Sequence, residues 1–478
     1  MRQRTGGDVA SASGEVKGFG LVGGCSLAWW RRAGRLAGGL ALLLFASPAW
    51  AGSEALAERA VTRAAEVRGW EVREEVTLRV VDRAALLEHM RHLVDRDVTV
   101  GELERSERLL RLLRLWTTPL TYREAMMAML EDQVAGLYDP AERVLWVLAE
   151  GSEAEQWTVT VHEALHALQD QRVDLDVYRG REAHLTDFSL ARQAVVEGEA
   201  TAVMLVESAE AQGVPAAWAL RMAASPLAAL AVQARPPALA GLPDVLWETL
   251  LFPYLGGLAF VERIHRERQG WRGVDAFYVR APLSTAEIMQ PRRYLSAWEP
   301  TWLETSCEGT GWERWAVDVV GQAMITSLWS ARLGDGLNLL DLRREAEAWA
   351  GDRLEAWSTA EGDRVRLCWV VRVEGAEAAE GWAARTLELV LGWAGVDGAS
   401  VVQSSGAEGA RAWFLFPGGG AVVERWGDLV FLVWQEGAVG MAPDAVEEEL
   451  ATALAGYRAR LSVLRYPAVL REAAGWTR

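Results

Sequence analysis

Apolar residues recur at helical spacing in two stretches near the middle of the chain. Trp157, Val161, Leu165 and Leu168 step by three and four behind Ser152-Glu153-Ala154-Glu155, which has the form of a capping box. The spacing predicts an amphipathic helix from about Glu153 to Asp170. A second helix is expected over Leu190 to Ser208, introduced by Thr186-Asp187. Gly198 sits in its middle, where glycine weakens a helix, so another backbone is expected to approach it closely. Just upstream, Val134 to Tyr138 and Val144 to Val147 flank the Asp139-Pro140 turn and read as a β-hairpin, one strand of which is a candidate sheet edge.

The flanking regions carry further patterns. Residues 52–119 read as a helix, a strand (Glu74 to Val81) and one long helix. Val214 to Leu242 is rich in Ala, Leu and Pro, but its arginines and prolines favour helical hairpins over a membrane span. Trp312 to Trp349 reads as helical, Val365 to Val373 as a strand and Ala376 to Trp393 as a helix. Arg411 to Phe416, Ala421 to Arg425 and Leu429 to Trp434 read as strands before a closing helix near Ala445 to Leu461. Gly418-Gly419-Gly420 is expected to be a hairpin turn. The fold class that follows is α+β. A mainly helical core with a small mixed sheet occupies 120–300, with 52–119 as its front part. A helical linker and a C-terminal α+β accessory module occupy 301–478.

The formal net charge is −17. Arg31, Arg32 and Arg35 precede a short apolar stretch, Leu36 to Phe45, and Ala49-Trp50-Ala51 supplies an A-x-A cleavage signal. This predicts a secretory signal peptide over residues 1–51 and export to the periplasm or beyond, with an uncleaved anchor as the competing reading. Residues 1–51 carry six of the Lys and Arg and two of the Asp and Glu, so cleavage takes the charge from −17 to −21. Such acidity argues against nucleic acid and anionic membranes as partners, and no stable membrane span is expected after signal removal. Cys307 and Cys368 would be the remaining cysteines, paired or free. The oligomeric state is not legible.

Chemistry concentrates on the first central helix. His162-Glu163-Ala164-Leu165-His166 is an HExxH pentapeptide in a chain with only 6 histidines. Four residues apart, the imidazoles stack on one helix face, where each can give a ring nitrogen to one metal ion. Glu163 stands beside that ion as the candidate general base. A hydrolytic zinc site takes three protein ligands and leaves one position for water, so a third ligand is needed. Glu197 and Glu199 point to opposite sides of the second helix. Glu197 is favoured because it shares a face with Ala194, Thr201 and Met204, a strip suited to packing on the first helix. Asp170, four past His166, and Thr201, four past Glu197, are candidates for orienting the ligands; Asp170 reads equally well as a helix-end residue. His89, His92, His184 and His265 fall outside any ligand pattern.

HEALH followed by EGEAT on a second helix resembles the gluzincin branch of the HExxH zinc metallopeptidases, whose third ligand is a glutamate. Glu131 to Pro140, His166 to Gln171, Phe252-Pro253-Tyr254 and Pro282 to Glu287 are similar to blocks in a group of secreted bacterial HExxH proteins. The likeness runs from about Leu120 to Tyr294. The resemblance implies a zincin-like core, Zn²⁺ held by His162, His166 and Glu197, and hydrolysis of a peptide or protein substrate, with an endopeptidase as the simplest form. It also implies an edge strand above the metal on which an extended peptide pairs. Tyr254, Gln290 and Tyr294 are the polar candidates for contacting the oxyanion or substrate, each with a structural role as the alternative. Such sequences tend to carry a histidine before Pro291, where this chain has Gln290. That departure keeps open a zinc-bound protein, weak or inactive in catalysis, that holds a peptide or protein.

Overall fold

The computed structural model describes residues 54–133, 135–150, 152–179, 186–226, 228, 239–333, 339–394, 400–406 and 409–466. The signal-peptide reading and His184 lie outside the described residues. The first half of the chain is α1 (Glu54–Arg68), β1 (Thr77–Val81), α2 (Arg83–Asp97), α3 (Val100–Leu112), α4 (Tyr122–Gln133), β2 (Gly136–Asp139), β3 (Val144–Leu148), α5 (Glu153–Asp170), α6 (Leu175–Tyr178), α7 (Thr186–Ala211), α8 (Ala216–Ala223) and α9 (Asp244–Glu267). Then come α10 (Thr285–Met289), α11 (Pro291–Leu295), β4 (Thr301–Glu304), β5 (Trp312–Asp318), α12 (Gly321–Leu333), α13 (Leu339–Ala346), β6 (Trp349–Thr359) and β7 (Val365–Val373). The chain closes with α14 (Ala376–Ala394), β8 (Ser400–Gly406), β9 (Gly409–Phe416), β10 (Gly419–Trp426), β11 (Leu429–Glu436), α15 (Pro443–Ala459) and β12 (Ser462–Arg465). The fold is mixed α+β.

Local signals account for the central elements. Ser152 accepts the Glu155 amide while the Glu155 carboxylate accepts the Ser152 amide, so the capping box starts α5 where the sequence placed it. A second capping box, Thr99 with Glu102, explains a departure: the long helix expected before residue 120 is two helices, because Val98 turns extended and Thr99 starts α3 afresh. Another departure is Trp312–Asp318, expected as helix but found as strand β5. It pairs antiparallel with β6 through a bulge between Arg314 and Ala316, and this non-local ladder outweighs a mixed polar and apolar run with no clear period of its own.

Three sheets form. β1, β3 and β2 make a small mixed sheet in that order, with β1 parallel and β2 antiparallel to β3, which leaves β2 on an edge. The C-terminal sheet has seven strands in the order β5-β6-β7-β11-β10-β9-β8, and β4 pairs with β12. Alternation along β7 sends Leu367, Trp369 and Val371 toward the core that holds α14, and Cys368 and Val370 toward the side covered by α15. Cys307 and Cys368 form a disulfide on the α15 side. Trp302, Trp329, Trp349 and Trp434 belong to the main core, which runs without a break from α2 to Tyr466.

Gly198 behaves as its position predicted. A Cβ there would lie 2.2 Å from the Gly257 carbonyl carbon, and one at Gly257 would lie 2.0 Å from the Ala194 carbonyl oxygen. Helices α7 and α9 therefore cross with their backbones in contact, which only glycine at both positions permits. Ala194 thus faces α9, while Ala200 and Val203 make the contact with Val161, Ala164, Leu165 and Leu168 of α5. Helix α9 is long and apolar enough to cross a membrane, yet 67% of its apolar window is buried inside the protein.

Candidate metal centre

Packing of α5 on α7 brings the two imidazoles to Glu197. His162 Nε2 and His166 Nε2 lie 3.1 Å apart, and Glu197 Oε2 lies 3.2 Å from the first and 3.4 Å from the second. Ligand atoms on a tetrahedral ion with bonds of about 2.0–2.1 Å stand about 3.3 Å apart. The three donors already hold the spacing of one tetrahedral face. All three side chains have 0% exposure, and two imidazole nitrogens turned toward one carboxylate oxygen form a set of acceptors that a cation satisfies together. His162, His166 and Glu197 can hold a metal ion.

The surrounding bonds orient these ligands. Gln169 donates its amide to the Val196 carbonyl (3.2 Å) and to Glu199 (2.8 Å), so its oxygen is the end that faces His166 Nδ1 at 2.8 Å. His166 then carries a proton on Nδ1, and in its neutral form turns the Nε2 lone pair to the ion. Glu199 is itself held by Arg68 and by the Tyr278 hydroxyl. Gln193 donates to Glu197 Oε1 at 2.6 Å. Burial pushes the Glu197 carboxyl upward, but the two imidazoles facing it outweigh burial and hold it below the usual carboxylate range. Burial lowers the His162 pKa, keeping that ring neutral, as a ligand requires.

Glu163 lies next to the triad in a different condition. Both of its carboxylate oxygens are buried without a hydrogen-bond partner. The Tyr138 amide is near enough to favour the ionised form, but outside hydrogen-bond geometry. Burial, and then the charge of Glu197, raise the Glu163 pKa well above the ordinary carboxylate range. Gly136 of β2 passes directly over this side chain: a Cβ at Gly136 would sit 3.5 Å from Glu163 Cγ and 3.0 Å from Val159. Tyr254 of α9 completes the group. Its ring stacks on His162 at 6.1 Å, its hydroxyl is directed at Glu197, and burial followed by the charges of Glu197 and Glu163 keeps the phenol protonated.

Four expected residues are placed elsewhere or do other work. Asp170 accepts the Tyr138 hydroxyl (2.9 Å) and the Leu175 amide (3.0 Å), tying α5 to β2 and α6 instead of orienting an imidazole. Thr201 Oγ1 is buried without a partner, so Gln193 holds the position foreseen for it. Gln290 donates to Gln322 (2.8 Å) and to the Glu347 carbonyl (3.0 Å), joining α11 to α12 and α13. Tyr294 donates to the Arg280 carbonyl at 2.8 Å. Both belong to the scaffold, because their polar groups are taken up by these partners and not by the centre.

Sequence reasoning missed Gln169, Gln193 and Arg68. Gln169 and Gln193 were within reach, since they stand three past His166 and four before Glu197 on the same faces. Arg68 gave no local signal. A second group, His89, Asp139 and Glu142, also clusters its donor atoms. There Asp139 is satisfied by Arg96 at 3.1 Å and the Ala141 amide at 3.0 Å. A cavity of about 460 Å³ near the end of α9, lined by Ile264, Arg272 and Tyr294 among others, contains none of the residues of the centre. Comparison with family models, curated proteins and solved structures finds no significant match to this chain.

Proposed function

We propose that this protein is an exported zinc-dependent peptidase with a zincin-like core, in which Glu163 is the general base. The observation that carries the reading is the Glu163 carboxylate, buried beside three converging metal donors with neither oxygen hydrogen-bonded. Stranding a carboxylate in this way costs several kcal/mol of stability, a cost that a catalytic role explains. A site that merely held a metal for stability has no need of it. The N, N, O donor set, one ligand short of a closed tetrahedron, suits zinc in a hydrolytic role.

Bound zinc supplies Lewis acidity, making water ionisable near neutrality and polarising a carbonyl. The residues of the chain do the rest. Glu163 takes the proton from water, holds it on its carboxylate and passes it to the departing amine. Its raised proton affinity suits it to hold the proton between the two transfers. Tyr254, kept protonated, directs its O–H at Glu197 and steadies that carboxylate. Gln169 fixes the His166 ring, and Gln193 fixes Glu197.

The small sheet supports a peptide substrate. The Leu148 amide bonds the Ala135 carbonyl at 3.0 Å, which fixes the alternation along β2. Gly136 and Tyr138 then turn their own N–H and C=O groups to the free edge, over Glu163. An extended peptide that pairs there would run past the general base. The Cys307–Cys368 disulfide agrees with export to an oxidising compartment.

Metal analysis joined to a peptide-hydrolysis assay tests this reading. Wild-type protein is expected to hold about one zinc per chain and to cleave unstructured peptides. Glu163→Gln should keep the zinc and lose turnover by about 10²-fold or more. Unchanged turnover in Glu163→Gln, or no zinc lost in His162→Ala and Glu197→Ala, would overturn it. A wild type that binds zinc and peptide without cleaving would make the protein a peptide-holding module instead.

A further inference from the structure

Arg179 is a charged group that the catalytic reading does not use. It caps the C-terminal end of α6, and its backbone N–H bonds the Leu175 carbonyl at 3.0 Å. The side chain turns inward and is 2% exposed. Nε, Nη1 and Nη2 are all buried without a hydrogen-bond partner. Other buried arginines of the chain contrast with it: Arg68 has Glu199 and Asp275, and Arg293 bonds the Trp349 carbonyl.

Arg179 feels the charges of the centre. The charge acting on it most strongly is Glu197, followed by Asp176, Asp170 and Tyr254, and it acts in turn on Glu163. None of these gives it a hydrogen bond. Glu197 is already occupied by both imidazoles and Gln193, and Asp170 by Tyr138 and Leu175. Among the described residues no acceptor is left for the guanidinium, which points to one supplied by a ligand. Three free nitrogens in a planar fork match the two oxygens of a carboxylate, whereas a single carbonyl oxygen would leave most of the fork unused.

We infer that Arg179 binds a carboxylate of the substrate beside the metal ligands, either the α-carboxylate at a peptide C-terminus or an acidic side chain next to the scissile bond. This rests on the peptidase reading and deepens it. If the terminal carboxylate is the ligand, the protein trims C-termini and the expectation of an endopeptidase gives way.

The test uses binding in the zinc-loaded Glu163→Gln protein, so that no probe is consumed. Three blocked tripeptides are titrated calorimetrically: one with a free C-terminal carboxylate, its C-terminal amide, and an amide with glutamate in the middle. At least one carboxylate probe is expected to bind about tenfold or more tighter than the plain amide. Which of the two does so identifies the source. Adding Arg179→Met should erase the preference, and Arg179→Lys, which keeps the charge without the fork, should retain part of it. Arg179→Met should also melt no lower than its parent, because it removes a buried cation that bonds to nothing. Equal binding of all probes, absence of binding by any of them, a preference that survives Arg179→Met, or a melting point several degrees lower would overturn the inference. Zinc content and turnover are read separately, so failure of the peptidase reading and failure of this one are distinguishable.

Discussion

Helix α7 touches buried carboxylates at two places, and the company they keep differs. At its N-terminus, Asp187 joins Asp318, Asp352 and Glu287 where α7, α10, α12 and β6 meet. There every carboxylate is served. Asp352 accepts the Val320 and Gly321 amides (2.9 Å each) and the Trp349 and Trp369 indoles (3.0 Å each). Asp318 takes the Thr186 amide at 2.9 Å and the Thr186 hydroxyl at 2.5 Å, Asp187 takes the Thr285 amide and hydroxyl, and Glu287 takes the Leu283 amide at 2.6 Å and Arg280 at 3.1 Å. Ten residues along the same helix, the candidate metal centre buries Glu163 and Arg179 with none of their side-chain polar atoms hydrogen-bonded. Both regions are buried, so burial does not mark a site by itself. A charged group buried with every polar atom of its side chain unpaired is the stronger mark, because the fold gains no stability from it.

Opposite responses to substitution would confirm the contrast. Glu163→Gln carries the largest expected effect, about 10² to 10⁴-fold in turnover, with no fall in the urea midpoint because no hydrogen bond is lost. If its stability dropped instead, Glu163 would belong with the structural carboxylates. Asp352→Ala should do the reverse. It strands four N–H donors and is expected to destabilise by about 3–5 kcal/mol in urea unfolding while zinc still binds in the remaining folded fraction.

The crossing of α7 and α9 links the two regions mechanically. Gly198→Ala inserts a methyl group into the Gly257 backbone and should cost about 1–3 kcal/mol. It should also weaken zinc binding, since Glu197 is the adjacent residue and Tyr254 lies on the opposing helix. A variant that loses stability but binds zinc normally would show that the crossing does not set the ligand geometry. Gln169→Leu should weaken zinc about 10- to 100-fold, measured by competition with a chelator, because His166 loses the group that fixes its tautomer.

The smallest effect expected is on pH dependence. Burial raises Asp187 and Glu287 to about 7 and Asp318 to about 8. These groups hold protons in the folded protein at pH values where the unfolded chain has released them. Their contribution to stability is therefore present below the ordinary carboxylate pKa and is lost as pH rises toward about 8. Asp318→Asn should flatten the decline in melting temperature between pH 5 and 8.5 relative to wild type. A parallel pair of curves would remove Asp318 from the account.

Much of the fold was legible. Capping boxes, three-to-four spacing and strand alternation located α5, α7, the hairpin and most of the C-terminal sheet, because each is specified by residues close in the chain. The failures have one physical origin. Strand β5 exists because β6 is beside it, and the break between α2 and α3 reflects a cap that outcompeted a continuous apolar stripe. Gln290 and Tyr294 looked available for chemistry only until the elements that satisfy them were in view.

The sequence by itself placed His162, Glu163 and His166 side by side, since they lie within one and a quarter turns of a helix whose start and period are local properties. It also foretold that a backbone would press on Gly198. Only the tertiary structure decided that Glu197 and not Glu199 meets the imidazoles, that Gln169 and not Asp170 orients one of them, and that Tyr254 closes the group. The same packing left Arg179 without a partner. Those outcomes depend on which faces of separate helices come together, and that choice is made by packing across long stretches of chain, where no local spacing rule applies.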